Sequence, residues 1–255
     1  MSVVTRKIAL LKTQEYFNKI SSVSSDIKDK RSVFNFVEGI HDLGLWDSMV
    51  CWPLRSSQNA GVGNTAFSLG GLGTYDSTLV NGPTWDTDGI ELTNNYIAFP
   101  SISDFSSGIF TGSVHKVADV LSNNRSISIE KASGQIGGMW APFGDTKIYW
   151  DCLDYTSYPR SVAFSGALSN VFYMWSGTSN SGQIILNKTS LSSGGAISSL
   201  TGNFDTIRFG SNGNTPVFNG TASFVFIVKL GATISQVGRF YDLYKSTLGK
   251  GLGLP

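Results

Sequence analysis

The chain has 255 residues, of which 41% are hydrophobic and 12% aromatic, so its composition allows a substantial core and excludes a globally disordered protein. Charged residues make up 15%, and the formal net charge is +1 with no cluster of Lys or Arg, which excludes binding to nucleic acid or membranes mainly through positive charge. Cys51 and Cys152 lie far apart in the sequence and form no CxxC pair, so we predict no zinc site. We favour two buried free thiols, and a disulfide between them is the alternative.

Two amphipathic helices are predicted near the start of the chain. Residues 6–23 place apolar side chains at three- and four-residue steps, and residues 29–43 do the same along one face. Gly44 follows the second helix where a C-terminal cap glycine is expected. We therefore predict that residues 1–45 form a helical segment for docking or assembly.

The apolar side chains of this segment are the predicted contacts with a partner. An amphipathic helix buries its apolar stripe against another element or another protein. The predicted docking residues are Leu11, Phe17, Ile20, Val33 and Val37.

After Trp46 the helical pattern gives way to short alternating or apolar runs, separated by Gly, Asn, Ser and Asp. Many short strands with regular turn sequences are typical of a β-sandwich or barrel. Five consecutive apolar residues at 224–228 predict a strand that is covered on both faces. Residues 233–248 predict a C-terminal helix with Ser235 as its N-cap. We predict one mostly β domain over residues 46–255.

Three stretches carry a resemblance to a known family: residues 36–54 (FVEGIHDLGLWDSMVCWPL), residues 78–100 (which contain NGPTW and DGIEL) and residues 219–255. They resemble the LamG-like, concanavalin-type jelly-roll domains of bacteriophage structural proteins. The family usually has FDG where this chain has Glu91-Leu-Thr-Asn, and an acidic–apolar pair where it has Val237-Gly238. The resemblance implies a concanavalin-like β-sandwich (jelly roll) with a small helical N-terminal segment and a C-terminal helix.

Some concanavalin-like folds are glycosidases, which need two carboxylates across the scissile bond. Asp151 and Asp154 are the nearest acidic pair, but three-residue spacing places them on opposite faces of a regular strand. His41 and His115 accompany no Gly-x-Ser-x-Gly nucleophile elbow. The Gly-rich run 70–73 lacks the lysine of a phosphate loop. We therefore predict no catalytic residues and a protein that is not an enzyme.

Calcium is the one metal hypothesis, and no other cofactor is expected. LamG-like domains hold calcium through Asp and Asn oxygens on their rim loops, so the resemblance implies such a site here. Calcium needs six to eight oxygen ligands. The candidate ligands are Asp76, Asp86, Asp88 and Asn94, together with backbone carbonyls.

Sugar recognition needs an exposed aromatic ring beside amide or carboxylate groups. The candidates for ligand binding are Trp150, Tyr155, Tyr158 and Trp175. The alternative for the two tryptophans is that they fill the core of the sandwich, as large aromatic side chains usually do.

The main functional hypothesis is a non-enzymatic surface protein of a bacteriophage particle, as a capsid decoration or tail-associated subunit, with other virion proteins as partners. The alternative is a carbohydrate- or receptor-binding tail-fibre module that recognises host surface glycans; a glycanase is the third hypothesis. The sequence shows no secretory leader and no membrane-spanning run, so we expect synthesis in the host cytoplasm and location in the virion. We also expect a homo-oligomer.

Overall fold

The computed structural model describes residues 3–26, 28–103, 105, 107–118, 125–130, 136–141, 147–151, 160–163, 170–178, 181–193, 203–204 and 206–255. The helices are α1 (Val3–Ser21), α2 (Lys30–Asp42) and α3 (Ile234–Ser246), and a short 3-10 turn covers Trp46–Ser48. The strands are β1 (Met49–Pro53), β2 (Thr65–Ala66), β3 (Ser77–Val80), β4 (Thr84–Trp85), β5 (Ile90–Thr93), β6 (Tyr96–Phe99), β7 (Ile102–Ser103), β8 (Ile109–Val117), β9 (Arg125–Glu130), β10 (Ile136–Trp140), β11 (Lys147–Asp151), β12 (Arg160–Ala163), β13 (Val171–Thr178), β14 (Ser181–Leu186), β15 (Thr189–Ser193), β16 (Asn203–Phe204), β17 (Thr206–Phe209), β18 (Ser211–Asn212), β19 (Thr215–Pro216) and β20 (Asn219–Val228).

Two large antiparallel sheets form the sandwich. The first sheet has the order β15-β14-β13-β8-β20-β5-β4, and β1 also pairs with β20. The second sheet has the order β12-β11-β10-β9-β17-β6-β3-β2. The chain passes between the sheets several times, since β8 and β13 pair in the first sheet while β9–β12 lie in the second. The predicted mostly β, concanavalin-like sandwich with N-terminal helices and a C-terminal helix is confirmed.

The core between the sheets follows from side-chain alternation. Strand β5 has alternately buried and exposed residues, as expected when one face of a strand packs inward. From the second sheet, Ile97, Ile129 and Ile207 enter the core, where they meet Val225 and other inward side chains of the first sheet. We call this interior the sandwich core.

A second hydrophobic core lies on the outer side of the first sheet, and we call it the helical layer. Strand β20 explains why it forms: Val225 and Ile227 face the sandwich core, while Phe224 and Phe226 face the helices. All seven residues from Ala222 to Val228 are buried. The predicted strand with both faces covered is therefore confirmed, because helices cover the face that would otherwise meet water.

The helical layer contains four of the five predicted docking residues. Phe17, Ile20, Val33 and Val37 are buried there together with residues of the first sheet and α3. Because the outer face of the first sheet is apolar, these four side chains pack against it within the same chain. They are therefore not available to a partner. Leu11 alone among the five is exposed, at 55%. The attachment of residues 1–45 to another protein stays a prediction.

The start of α3 corrects the predicted N-cap. Thr233, not Ser235, caps the helix: its hydroxyl accepts a hydrogen bond from the backbone N–H of Gln236, and the Gln236 side chain accepts one from the backbone N–H of Thr233. This capping box satisfies two backbone donors of the first turn. Within the described residues, no helix combines the length and apolarity needed to cross a membrane.

Candidate functional site

The outer face of the second sheet, which points away from the sandwich core, brings together residues from five strands. Ala98, Arg208, Ser128, Gly138 and Asp151 lie in register on the adjacent strands β6, β17, β9, β10 and β11. Their neighbours along each strand enter the core, so alternation assigns these positions to the opposite face. The fold thereby collects residues from distant parts of the sequence on one surface.

Arg208 is the centre of this surface. Its Nη1 donates a hydrogen bond of 2.6 Å to Oε1 of Glu130, and its Nη2 donates one of 3.0 Å to Oδ1 of Asn214. The guanidinium carbon lies 5.9 Å from the centre of the Tyr96 ring, within the range of a cation–π contact. We call the set Tyr96, Ser128, Glu130, Arg208 and Asn214 the Arg208 surface.

The sheet register explains why Glu130 reaches Arg208. Thr206 is paired with Glu130, and Arg208 is paired with Ser128, so Glu130 and Arg208 are diagonal neighbours on antiparallel strands. Diagonal positions lie within reach of long side chains. The side chains of Arg208 and Glu130 are only 12% and 17% exposed, so this ion pair is screened by water less than an open surface pair.

The Arg208 surface has unused hydrogen-bonding capacity. A guanidinium has five N–H groups, and Arg208 uses two of them with described residues, which leaves three for water or a ligand. Ser128 is fully buried, and its Oγ has no hydrogen-bond partner among the described residues. Because Ser128 is covered, its hydroxyl lies beneath the surface and the capacity for a ligand lies with Arg208.

The charged pair of this surface was not identified from the sequence. The alternation in β17 is a usable signal, because Ile207 and Phe209 are buried and Arg208 between them must face outward. The partner Glu130 cannot be found this way, since it lies 78 residues earlier and its position depends on the strand order.

The aromatic candidates for sugar stacking lie elsewhere. Trp150 and Trp175 are buried in the sandwich core, where their rings stack in parallel with centroids 4.8 Å apart. Trp150 belongs to the second sheet and Trp175 to the first, so each indole covers the other and neither presents a face to a sugar. The structure therefore supports the alternative that these two residues fill the core. Tyr155 and Tyr158 lie outside the described residues, as does Asp154.

The four candidate calcium ligands lie on three turns: Asp76 precedes β3, Asp86 and Asp88 lie between β4 and β5, and Asn94 lies between β5 and β6. Asp76 accepts hydrogen bonds from the backbone N–H and the hydroxyl of Ser68. Asp88 precedes β5 and Asn94 follows it, and six residues of extended chain span about 20 Å. Calcium–oxygen distances are about 2.5 Å, so these two residues cannot share one ion. Within the described part of the chain, no three acidic, cysteine or histidine side chains are grouped as metal ligands.

His115 is part of the sandwich core. Its Nε2 lies 2.8 Å from the carbonyl oxygen of Ala141 and its Nδ1 lies 3.0 Å from Oγ of Ser113. Because a carbonyl only accepts, Nε2 carries the proton and Nδ1 accepts from the Ser113 hydroxyl. Burial lowers the pKa of His115 to about 4. This Ser–His pair has no acidic partner on Nε2 and no exposure to substrate.

The Gly-rich run at 70–73 lines a cleft against α1. The cleft has a volume of about 320 Å³ and contains charged groups of both signs, including Lys12, Lys19 and Asp47. Lys19 donates a hydrogen bond of 3.4 Å to the hydroxyl of Thr74 across it. The cleft is a second place where a small polar molecule fits.

No protein-family model matches the chain, and no curated protein matches it. Among solved structures, a Trypanosoma rangeli sialidase in complex with the inhibitor DANA matches with a TM-score of 0.63 at 10% identity, over 87% of this chain and 39% of that chain. A complex of this sialidase with sialic acid has a TM-score of 0.60 at 10% identity, over 79% and 33% of the two chains. The binding domain of botulinum neurotoxin serotype D has a TM-score of 0.54 at 10% identity, over 78% and 52%.

These similarities show a shared β-sandwich fold. The chain spans only 33–40% of the length of the sialidase chains it matches. They overturn the expectation that the chain is not an enzyme. That expectation rested on the missing carboxylate pair and nucleophile elbow in the sequence, whereas the fold is shared with chains of sialidases, which are glycosidases. The relation to bacteriophage proteins stays a prediction.

Proposed function

We propose that the chain is a carbohydrate-binding β-sandwich module and that the Arg208 surface contacts the glycan. The single observation that carries this proposal is the guanidinium of Arg208, which two hydrogen bonds hold in place and whose other three N–H groups bond to no described residue. Sugars present many hydroxyl groups that both donate and accept. A site that combines charged donors with a carboxylate, an amide and a hydroxyl matches that chemistry.

Preorganisation supports the same proposal. Glu130, Asn214 and Tyr96 hold Arg208 from three sides, so the guanidinium does not have to be ordered when a ligand arrives. Fixing a side chain in advance lowers the entropic cost of binding. The fold likeness to a sialidase solved with sialic acid and to a toxin's binding domain is consistent with a saccharide ligand, although it assigns none.

The biological setting that we propose is a bacteriophage particle, where the module recognises glycans on the host surface. This part rests on the sequence resemblance of residues 36–54 and 219–255. Immunolabelling of purified particles tests it, and a protein absent from those particles would contradict this setting while leaving glycan binding itself intact.

The glycan proposal is tested by screening the full chain on a glycan array and measuring the affinity of the best ligand by calorimetry. Because hydrogen bonds to charged groups contribute about 1.5–3 kcal/mol, we expect Arg208→Ala to weaken binding about 10- to 100-fold. Asn214→Ala changes an exposed residue, so the fold is retained, and a smaller loss is expected because Arg208 loses one anchor.

The matched control is Arg239→Ala, which removes an exposed arginine from α3 on the other side of the molecule. Its affinity should equal that of the wild type. Lys19→Ala tests the cleft beside α1. The proposal is contradicted if no glycan on the array is bound, or if a folded Arg208→Ala variant keeps full affinity. A loss of affinity confined to Lys19→Ala would place the binding site in the cleft instead.

A further inference from the structure

Helix α1 has an uncovered apolar surface. Eight large hydrophobic residues are exposed in the described part of the chain, and five of them lie at the start of α1: Val3, Val4, Ile8, Leu10 and Leu11, which are 39–88% exposed. The opposite side of the same helix is buried in the helical layer through Ala9, Tyr16 and Phe17. A helix that is apolar on both sides is normally covered on both, so this surface has a missing partner.

We propose that the missing partner is a second copy of this chain, with the two α1 helices packed antiparallel. Val4, Ile8 and Leu11 follow one another at steps of four and three residues, so they form one stripe on the helix. In an antiparallel pair, Val4 meets Leu11 of the second copy, Leu11 meets Val4, and Ile8 of each copy lies beside the two-fold axis. A two-fold contact needs this self-complementary arrangement.

Charge complementarity supports the antiparallel direction. Glu15 is the next residue on the same stripe, four positions after Leu11, and it is the one acidic residue of α1. Its Oε2 accepts a hydrogen bond of 2.9 Å from Nζ of Lys12 on the same helix, and its side chain is 62% exposed, so this open pair can rearrange at a contact. Antiparallel packing places Glu15 beside the first turn of the second copy's α1, where the helix dipole is positive and no acidic residue is present. Lys7 flanks the stripe at the surface, where water and salt screen its repulsion with the same residue of the second copy.

The surface fits a membrane less well. Helices that lie in a membrane interface commonly carry Trp or Phe on their apolar face. The exposed large hydrophobic residues of the described chain are all aliphatic, and the aromatic residues of α1, Tyr16 and Phe17, are buried. Two helical turns bury less than the ~1,200 Å² of a standard interface, so we expect a dimer that dissociates at about micromolar concentration.

The test is sedimentation of the full chain over a range of concentrations. We expect a monomer–dimer equilibrium in the wild type and at least tenfold weaker association in Leu11→Asp, because the substitution puts a carboxylate into the apolar contact. Val62→Asp is the matched control, since Val62 is an exposed aliphatic residue away from α1, and its association should be unchanged. This inference does not depend on glycan binding, which is measured separately.

A cysteine substitution tests the geometry. Ile8→Cys should give a disulfide-linked dimer on mild oxidation, because the two side chains meet near the axis; Val62→Cys should not, and the wild type gives the background from its own cysteines. A chain that stays monomeric at about 100 μM overturns the proposal. Equal cross-linking of Ile8→Cys and Val62→Cys also overturns it. A monomer whose α1 binds anionic lipid vesicles does so as well.

Discussion

The imidazole of His115 shows how burial decides the chemistry of a side chain. It stacks on the Tyr173 ring at 4.3 Å and contacts Phe209 and Phe218, so its charged form would lose hydration without gaining an acidic partner. The same histidine on a surface would titrate near pH 6.5. At this site the neutral form is stabilised, and His115 acts as a structural residue.

This burial makes stability depend on pH. The pKa of His115 is about 4 in the folded chain and about 6.5 in the unfolded chain. As the pH falls, the unfolded chain therefore takes up a proton at this histidine before the folded chain does. The contribution of His115 to the free energy of unfolding is complete above pH 6.5 and is lost as the pH falls towards 4. We expect the free energy of unfolding to decrease by about 3 kcal/mol through this residue over that range.

Urea unfolding of the wild type and of His115→Gln at several pH values measures the effect. Carboxylates titrate in both proteins, so the difference between the two pH profiles isolates the histidine. Parallel profiles between pH 4 and 6.5 would show that His115 contributes nothing to the pH dependence.

At the scale of single elements, two glycines in helices form a matched pair. A β-carbon on Gly39 of α2 would lie 2.4 Å from Cδ1 of Leu243 on α3, whereas a β-carbon on Gly238 would meet nothing within 4 Å. Alanine is preferred over glycine in helices by up to about 1 kcal/mol. We therefore expect Gly238→Ala to stabilise the chain by up to that amount.

Gly39→Ala gains the same preference but forces the Leu243 side chain to move. The nearest atoms in the way are the end of a half-buried leucine, which can turn aside at some cost, so we expect Gly39→Ala to be less stable than Gly238→Ala. Thermal unfolding followed by circular dichroism compares the two variants. An equal change of the midpoint temperature of unfolding in both variants would show that α2 and α3 are loosely packed at this contact.

The elements themselves were largely predictable, because local patterns fix them. Residues 29–43 predicted a helix that the structure has at Lys30–Asp42, and 233–248 predicted the one at Ile234–Ser246. The cap of α3 was assigned to Ser235 because serine is a common cap, but the register of the capping box selects Thr233. The ion pair of Arg208 with Glu130 was unpredictable, since adjacency of β17 and β9 is a property of the whole sheet.

At the scale of the whole molecule, the helices and the sandwich share hydrophobic cores and cannot be treated as separable parts. Phe36 of α2 is fully buried, and its ring contacts Phe224 of β20 at 5.7 Å and Phe240 of α3 at 6.2 Å. The predicted boundary at residue 45 divides the sequence by composition. In the folded chain, side chains from both sides of that boundary fill the helical layer.

This shared core should make unfolding cooperative. Removing the ring of a buried phenylalanine costs about 3–5 kcal/mol, so we expect Phe36→Ala to lower the stability of the helices and of the sandwich together. Far-ultraviolet circular dichroism and tryptophan fluorescence should show coincident denaturation curves in the variant as in the wild type.

Phe34→Ala is the matched control, because Phe34 lies on the same helix but is only partly buried; its cost should be smaller. Two separate transitions, with tryptophan fluorescence unaffected while helical signal is lost, would show that the helices fold independently.

The parallel pair of Trp150 and Trp175 has an optical consequence. Two indole chromophores at van der Waals separation couple their excited states, and here each belongs to a different sheet. This coupling requires the two sheets to be packed against each other. Its spectroscopic signal therefore reports when the sandwich assembles during folding.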